Sequence, residues 1–154
     1  ACGLIYRSFI IEHPLYPLKA HKRESFFKCY YFDTGLMLAE VDFGYAALAL
    51  EQDISFKGPV AENFVACELV RQGIPLFCYA KANSTAEIEF IAQRGAGLIP
   101  IEVKNNATKA KSLEYYIKQF TPEFALKFSS RNGDLSPKCK HYPIYMVGSI
   151  CKSL

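Results

Sequence analysis

Residues 86–104 read Ala86-Glu-Ile-Glu-Phe-Ile-Ala-Gln-Arg-Gly-Ala-Gly-Leu-Ile-Pro-Ile-Glu-Val-Lys104. Apolar and polar residues alternate on either side of Arg94-Gly-Ala-Gly97, which predicts two antiparallel strands joined by a hairpin. Successive strand side chains leave on opposite faces. Glu87 and Glu89 are therefore expected on one face, with Ile88 and Phe90 on the other. By the same rule Glu102 and Lys104 share a face, and Ile101 and Val103 point away. If the two polar faces coincide, three carboxylates and one ammonium converge beside the hairpin.

A convergence of this kind suits metal-dependent phosphodiester chemistry. Mg²⁺ is a hard cation held by one or two carboxylates and carbonyls, with water in its remaining positions. A lysine two residues beyond a ligating Glu can orient an attacking water or offset the charge that develops on phosphorus. Glu89 followed by Glu102-Val103-Lys104 fits the D/E…(D/E)-x-K signature of restriction-endonuclease-like nucleases. The same residues also fit a solvated strand face with cross-strand charge pairs. The triplet alone does not separate the two readings.

The remainder of the chain bounds what that hairpin can belong to. At 154 residues it is one domain, or one domain with a fragment of a neighbour, and it can bury a sizeable core. A hydrophobic content of 51% with 14% aromatic residues excludes a disordered chain. The net charge of +3 is too small to identify a nucleic-acid partner by itself. No apolar run approaches the roughly 20 residues of a membrane span. The opening Ala1-Cys-Gly-Leu-Ile-Tyr-Arg7 carries neither an initiator Met nor a signal-peptide pattern, as expected of a piece of a longer protein. Cys2, Cys29, Cys67, Cys78, Cys139 and Cys151 form no C-x-x-C pair, sit mostly in apolar segments and read as buried reduced thiols of a cytoplasmic protein. His13, His21 and His141 lack metal-ligand spacing.

Upstream of the hairpin, Leu4–Ile11 and Leu15–His21 each read as a strand, parted by Glu12-His13-Pro14 and followed by a basic turn at 21–25. Phe26–Phe32 is a third strand or a short buried element. Asp33-Thr34 offers an N-cap for a helix over Gly35–Ala39, and Phe43–Gln52 reads as helix. Lys57-Gly-Pro59 opens the next helix, which Gly73 stops. Glu62 lies on the line of Val65, Ala66 and Leu69 and so faces the core side, whereas Glu68 shares the exposed side of Arg71 and Gln72. A carboxylate on a packing stripe must be paired, hydrogen-bonded or metal-bound. Ile74–Ala80 reads as a strand and residues 81–84 as the turn into the hairpin.

Downstream, Asn106 or Thr108 is available to cap a helix whose Leu113, Tyr116, Ile117 and Phe120 make an apolar stripe. Its Lys109, Lys111 and Lys118 fall mainly on the solvent side, the first two near the hairpin's acids and so within reach of phosphates. Pro122 ends that helix. Phe124–Ser129 is a strand, 131–140 a polar loop, Tyr142–Val147 a last strand, and the tail is left unassigned. From Gly58 the order is helix, three strands, helix, strand, strand. That is the αβββαβ order of a restriction-endonuclease-like fold of the α/β (α+β) class, a mixed central sheet flanked by helices and preceded by a short β-rich segment.

The runs Gly58-Pro-Val-Ala-Glu-Asn-Phe-Val-Ala-Cys-Glu-Leu69, Ala86-Glu-Ile-Glu-Phe-Ile91 and Ile99-Pro-Ile-Glu-Val-Lys104 carry a specific resemblance. With Gly3-Leu-Ile-Tyr-Arg7, Pro17-Leu-Lys-Ala20 and Tyr31-Phe-Asp-Thr-Gly-Leu36, it spans nearly the whole chain. The sequence resembles the C-terminal domain of unknown function, of restriction-endonuclease-like PD-(D/E)xK type, in a large prokaryotic family of P-loop AAA-type ATPases. The resemblance implies that residues 1–35 are the remnant of a winged-helix or connector region and that 36–154 are the nuclease-like domain. It implies catalytic positions at Glu62, Glu89, Glu102 and Lys104, with Mg²⁺ on Glu89, Glu102 and the Val103 carbonyl. Glu87 is a weaker candidate, as a second acceptor behind them. The family's usual middle acid is Asp, where this chain has Glu89. The implied partners are an ATPase module upstream in the same polypeptide and DNA or RNA, with no membrane. No G-x-x-x-x-G-K-[ST] run occurs, so ATP binding falls outside these residues. Two functions follow: a Mg²⁺-dependent nuclease acting with that ATPase, or a catalytically silent module that docks partners or regulates it.

Overall fold

Residues 86–104 do fold as β-structure, but as three strands instead of two. In the computed structural model, which describes residues 3–44, 46, 49, 55–81, 86–104 and 110–154, they form β4 (Glu87–Ile88), β5 (Phe90–Arg94) and β6 (Gly97–Lys104). The hairpin between β5 and β6 is as expected: Arg94 pairs with Gly97, and Gly95 takes φ +60° at the first position of a two-residue turn, where a side chain would be strained. The break lies at Glu89, a bend between β4 and β5.

That bend shifts the phase of the strand. Ile88 packs with Ile91, Leu113 and Tyr116, whereas Phe90 packs with Val65, Ala66 and Val103 on the other side. Two residues apart in an unbroken strand would share a face. The expectation that Ile88 and Phe90 lie together is therefore corrected. Its cause is a change of partner: β4 pairs antiparallel with β3 (Phe77–Ala80), while β5 pairs antiparallel with β6.

Before β3 come β1 (Ile5–Ile11), β2 (Phe27–Tyr31), α1 (Thr34–Glu40) and α2 (Lys57–Arg71); after β6 come α3 (Lys111–Phe120), β7 (Ala125–Ser129), β8 (Cys139–Pro143) and α4 (Val147–Cys151). Two mixed four-stranded sheets result, in the orders β2-β1-β3-β4 and β5-β6-β7-β8, and with four helices among the described residues the fold is α+β. The sheets meet at the Glu89 break, where β3 also lies against β5. β1 runs parallel to β3, so the N-terminal strands are part of the first sheet. On one side α2 and α4 cover Val65, Leu69, Val103, Phe128 and Val147; on the other α3 covers Ile11, Ile88, Ile91 and Ala125.

Four further expectations change. Leu15–His21 is not a strand but a turn of 3-10 helix at Leu18–Ala20. Pro14 and Pro17 have no N–H for a ladder, and the Leu18 N–H donates to Gln93 Oε1 at 3.1 Å while its side chain is fully buried. The strand expected over Ile74–Ala80 starts only at Phe77, beyond Pro75. The last strand is Cys139–Pro143, and Ile144 onward turns helical, ending in α4. Val147 and Cys151, one turn apart, are both buried against α2. Because α4 packs there, Glu68 is buried and not exposed: Arg71 Nη1 stands 2.7 Å from its Oε1, and Gly148 leaves the space its Oε2 occupies.

Other expectations hold. Asp33 caps α1, its Oδ1 accepting from the Leu36 N–H at 2.8 Å. α3 buries Leu113 and Tyr116, with Ile117 and Phe120 beside them. The cap candidates Asn106 and Thr108, Lys109 and most of the Phe43–Gln52 helix fall outside the described residues. Among the described residues no helix is long and apolar enough to cross a membrane, and Cys29, Cys67, Cys78, Cys139 and Cys151 are free thiols, though only Cys78 and Cys151 are buried as expected, Cys29 being exposed.

Asn63 ties α2 to the N-terminal segment. Its Oδ1 accepts from the Tyr31 N–H at 2.7 Å, and its Nδ2 donates to the Tyr31 carbonyl at 3.3 Å and to Thr34 Oγ1 at 3.2 Å, with Asn63 itself 1% exposed. Asn63→Ala strands the Tyr31 amide in a dry site, where an unpaired group costs about 1–3 kcal/mol. Urea unfolding of the variant should show a loss of that size, with a cysteine-selective reagent reaching Cys67 faster than in the parent.

Candidate active site at the seam between the sheets

The bend at Glu89 places a carboxylate where a strand would otherwise continue. One further step of the β5–β6 register would set Glu89 opposite Glu102. Instead of a backbone carbonyl, Glu89 Oε2 accepts the Val103 N–H of β6 at 3.2 Å. Its other oxygen, Oε1, accepts from Lys104 Nζ at 3.0 Å. The same ammonium stands 2.8 Å from Glu102 Oε1. Three of the residues singled out in the sequence thus meet around one nitrogen.

Burial sets the electrostatics. Glu102 is fully buried, Glu89 is 6% exposed, and neither oxygen of Glu102 has a hydrogen-bond donor in bonding geometry. A carboxylate without donors in a dry site disfavours its own charge. Burial first, then the neighbouring Glu89 charge, push the Glu102 carboxyl up to about 8, against the pull of Lys104. For Lys104, burial acts to release the proton, but the charges of Glu89 and Glu102 and the hydrogen bond to Glu89 outweigh it, so its pKa rises. Lys104 is held as a cation and is not available as a base.

Glu62 and Glu87 belong to a second, adjoining group centred on Lys28 of β2. Lys28 Nζ is in ion contact with Glu87 Oε1 and lies 3.9 Å from Glu62 Oε2, which the Tyr30 hydroxyl also approaches at 3.5 Å. Burial raises the Glu62 pKa; Lys28 opposes this, and the charges of Glu89 and Glu87 add to it. Glu62 thus senses the first group without joining it. Ser8, opposite Lys28 in the β1–β2 register, is fully buried with no hydrogen-bond partner for its Oγ. An open cleft bordered by Lys28, Tyr30, Pro59, Glu62 and Asn63 flanks this group.

Sequence reasoning did not select Lys28, Tyr30, Ser8 or Lys127. Lys28 and Tyr30 share the inward parity of β2, a signal present in the alternation of residues 27–31 but detached from the acids until β1 pairs with β3. Lys127 stands beside Glu102 in the β6–β7 register. Two positions on, Ser129 pairs with Lys104, and its Oγ lies 2.8 Å from Nε2 of His141, a residue given no role from the sequence. Among the described residues no group of three His, Cys, Asp or Glu side chains is arranged to hold a metal ion. The oxygens on offer are two carboxylates and a backbone, with an ammonium between them.

The raised Glu102 pKa fixes a pH dependence. The folded chain holds a proton that the unfolded chain, titrating near 4.5, has released. The contribution of Glu102 to stability is therefore fully present below about 4.5, is lost as the pH rises toward about 8, and is level beyond. The loss across that window is on the order of a few kcal/mol. Thermal unfolding in EDTA at a series of pH values should show this slope in the parent and a flatter one in Glu102→Gln.

Comparison with known proteins adds one match. Residues 57–145 fit the family model described as Domain of unknown function (DUF4143), which spans β3 to β8, α2 and α3 and contains Glu62, Glu89, Glu102 and Lys104. No curated protein and no solved structure matches the chain. More than half of the sequence lies within that model, and the chain belongs to the domain-of-unknown-function family DUF4143.

Proposed function

We propose that this domain is a nuclease-like module of the restriction-endonuclease-like PD-(D/E)xK type. In this reading it forms the C-terminal part of a cytoplasmic, prokaryotic AAA-type ATPase and works on DNA or RNA by Mg²⁺-dependent phosphodiester hydrolysis. The reading rests chiefly on one observation: Glu89 and Glu102 share the Lys104 ammonium at 3.0 and 2.8 Å, with the oxygens of Glu102 otherwise undonated. The order α2, β3 to β6, α3, β7 supports it. Residues 1–35 would be the connector from the ATPase module, and 36–154 the nuclease-like domain.

The donor set suits Mg²⁺, which takes hard oxygen ligands. Glu89, Glu102 and the Val103 carbonyl would hold it, the carbonyl leaving β6 on the same edge as the N–H that meets Glu89. Glu62 would act from the outer sphere. Bound Mg²⁺ would supply a Lewis acid for a phosphoryl oxygen and a more acidic water. The chain's own part follows from its charges. Lys104, fixed as a cation, would donate a hydrogen bond to the attacking water and offset the negative charge gained at phosphorus. Glu102 would give up its proton before serving as a ligand, which makes ion binding tighter at higher pH. Glu89 is one methylene longer than the Asp usual in the resembling family, and here that length spans the gap to the Val103 amide.

A second reading is favoured by the same ammonium. Lys104 already bridges both carboxylates, and no three-ligand cluster stands ready among the described residues. On that reading the charged seam is structural and the domain docks partners or regulates the ATPase. The two separate on Mg²⁺ response and cleavage. The nuclease reading expects Mg²⁺ to raise the melting temperature of the chain but not of Glu102→Ala, more so at pH 8 than at pH 6. It also expects labelled DNA or RNA to be cut in Mg²⁺ about a hundredfold faster by the parent than by Glu102→Ala or Lys104→Ala. Equal responses in parent and variants favour the silent module.

A further inference from the structure

One face of the second sheet carries polar side chains that the seam does not use. Residues paired across neighbouring strands leave on the same face. In the β6–β7–β8 register Glu102, Lys127 and His141 lie side by side, and two residues on Lys104 lies beside Ser129. Lys104, Ser129 and Pro143 end the three strands in line. Two residues before Lys127 and His141, Ala125 and Cys139 pack in the apolar cluster under α3. The face thus turns from apolar to polar as three parallel strands reach their carboxyl ends, the end at which parallel sheets receive ligands.

The hydrogen bonds fix how His141 carries its proton. Ser129 is fully buried, its Oγ accepts the Arg131 N–H at 3.1 Å, and it lies 2.8 Å from His141 Nε2. A backbone N–H can only donate, so of these two partners only the imidazole nitrogen can accept the hydroxyl proton. Were Nε2 protonated, that hydroxyl proton would be stranded in a dry site. Nε2 is therefore the acceptor, and the neutral ring keeps its proton on Nδ1. Burial, then the charge of Lys127, lower the His141 pKa against the pull of Asp134, which favours the same neutral form. The ring is also braced by the loop after β7: a Cβ on Gly133 would overlap the His141 carbonyl and stand 2.8 Å from the ring's Cγ. Unlike Ser129, His141 is only half-buried, and among the described residues its ring makes this one hydrogen bond.

We infer that His141 donates from Nδ1 to a phosphoryl oxygen of the substrate strand, at the phosphate beside the one held at the seam. That the ligand is a phosphodiester rests on the proposed function. Distance selects the phosphate: His141 lies two strands from Glu102, roughly 10 Å between backbones. That is too far to share the phosphate attended by Glu102 and Lys104, and near enough for its neighbour in the same strand. A neutral donor also adds no charge beside Lys127. Contacts of this kind set the register of a strand without reading its sequence. Ser129 and Gly133 act only through the ring, as positioning residues.

Two substitutions separate this role from a structural one. Gln reaches the Nε2 position and can accept from Ser129 but lacks the Nδ1 donor. Asn keeps an N–H near the Nδ1 position and loses the Ser129 contact. Fluorescence anisotropy of a labelled oligothymidylate of about 16 nucleotides, with the full chain in EDTA, should show binding about tenfold weaker in His141→Gln and near parental in His141→Asn. Thermal melting should rank the two variants the other way, because Asn strands the buried hydroxyl. A long-range proton–nitrogen correlation spectrum of the parent should show His141 protonated at Nδ1. EDTA removes hydrolysis, so this readout is separate from the cleavage test of the seam. A parent that binds through His141 and cuts nothing in Mg²⁺ would count against the nuclease reading alone. No binding by the parent, equal binding by all three chains, weaker binding in the Asn variant than in the Gln variant, or a ring protonated at Nε2 would each overturn the inference.

Discussion

One ammonium holds two buried carboxylates together, and the central part of the fold is arranged around that contact. Like charges set opposite each other on neighbouring strands repel. Burial removes the water that would screen them, so without Lys104 the ends of β5 and β6 would be driven apart. Three features answer this repulsion. Lys104 stands between Glu89 and Glu102; Glu102 favours its protonated form; and the backbone bends at Glu89, so that its carboxylate takes the Val103 amide in place of a strand partner. The bend that separates the two sheets and the chemistry at their junction thus have a single origin.

The N-terminal strands supply the second half of this arrangement. Because β1 runs parallel to β3, β2 carries Lys28 to within reach of Glu87 and Glu62, and Asn63 fastens the end of β2 to the helix that bears Glu62. Lys28 repeats at this edge what Lys104 does at the seam, an ammonium shared by two acids. Lys28, from outside the family match, thus joins Glu62 and Glu87 from inside it in one ionic group. A shift of the N-terminal segment would be felt at Glu62 through Lys28 and Asn63, before any change at Glu89 or Glu102.

Much of this was legible from local patterns, and the exceptions have physical causes. The β5–β6 hairpin follows from period-two alternation around Gly95, and α3 from its apolar stripe at spacings of three and four. Glu89, Glu102 and Lys104 meet as their parities and the hairpin register require. The phase shift at Glu89 was not legible, because an alternating sequence reads as one strand whether or not its partner changes midway. Leu15–His21 resembles a strand by composition, and only Pro17 within it and Pro14 before it argue against one. Glu68 looked exposed because its cover, α4, comes from a tail whose Val147 and Cys151 show a helical spacing only once Gly148 is seen against α2. Lys28 was missed for a similar reason: its neighbours in space are 34 and 59 residues away in the chain, at Glu62 and Glu87.

The phase shift at Glu89 has a mechanical consequence. A strand that keeps its alternation transmits twist from one sheet to the next, whereas a strand that resets its faces midway passes on much less. The two sheets are therefore coupled chiefly through side chains, by the two hydrophobic clusters they share and by β3 against β5. Both hydrophobic clusters draw residues from each sheet, so a rotation about this joint changes the separation of the acids flanking Lys104 only by repacking them. The spacing of those carboxyl groups is thus set by the packing on both sides of the seam, and a ligand that preferred another spacing would work against both clusters at once.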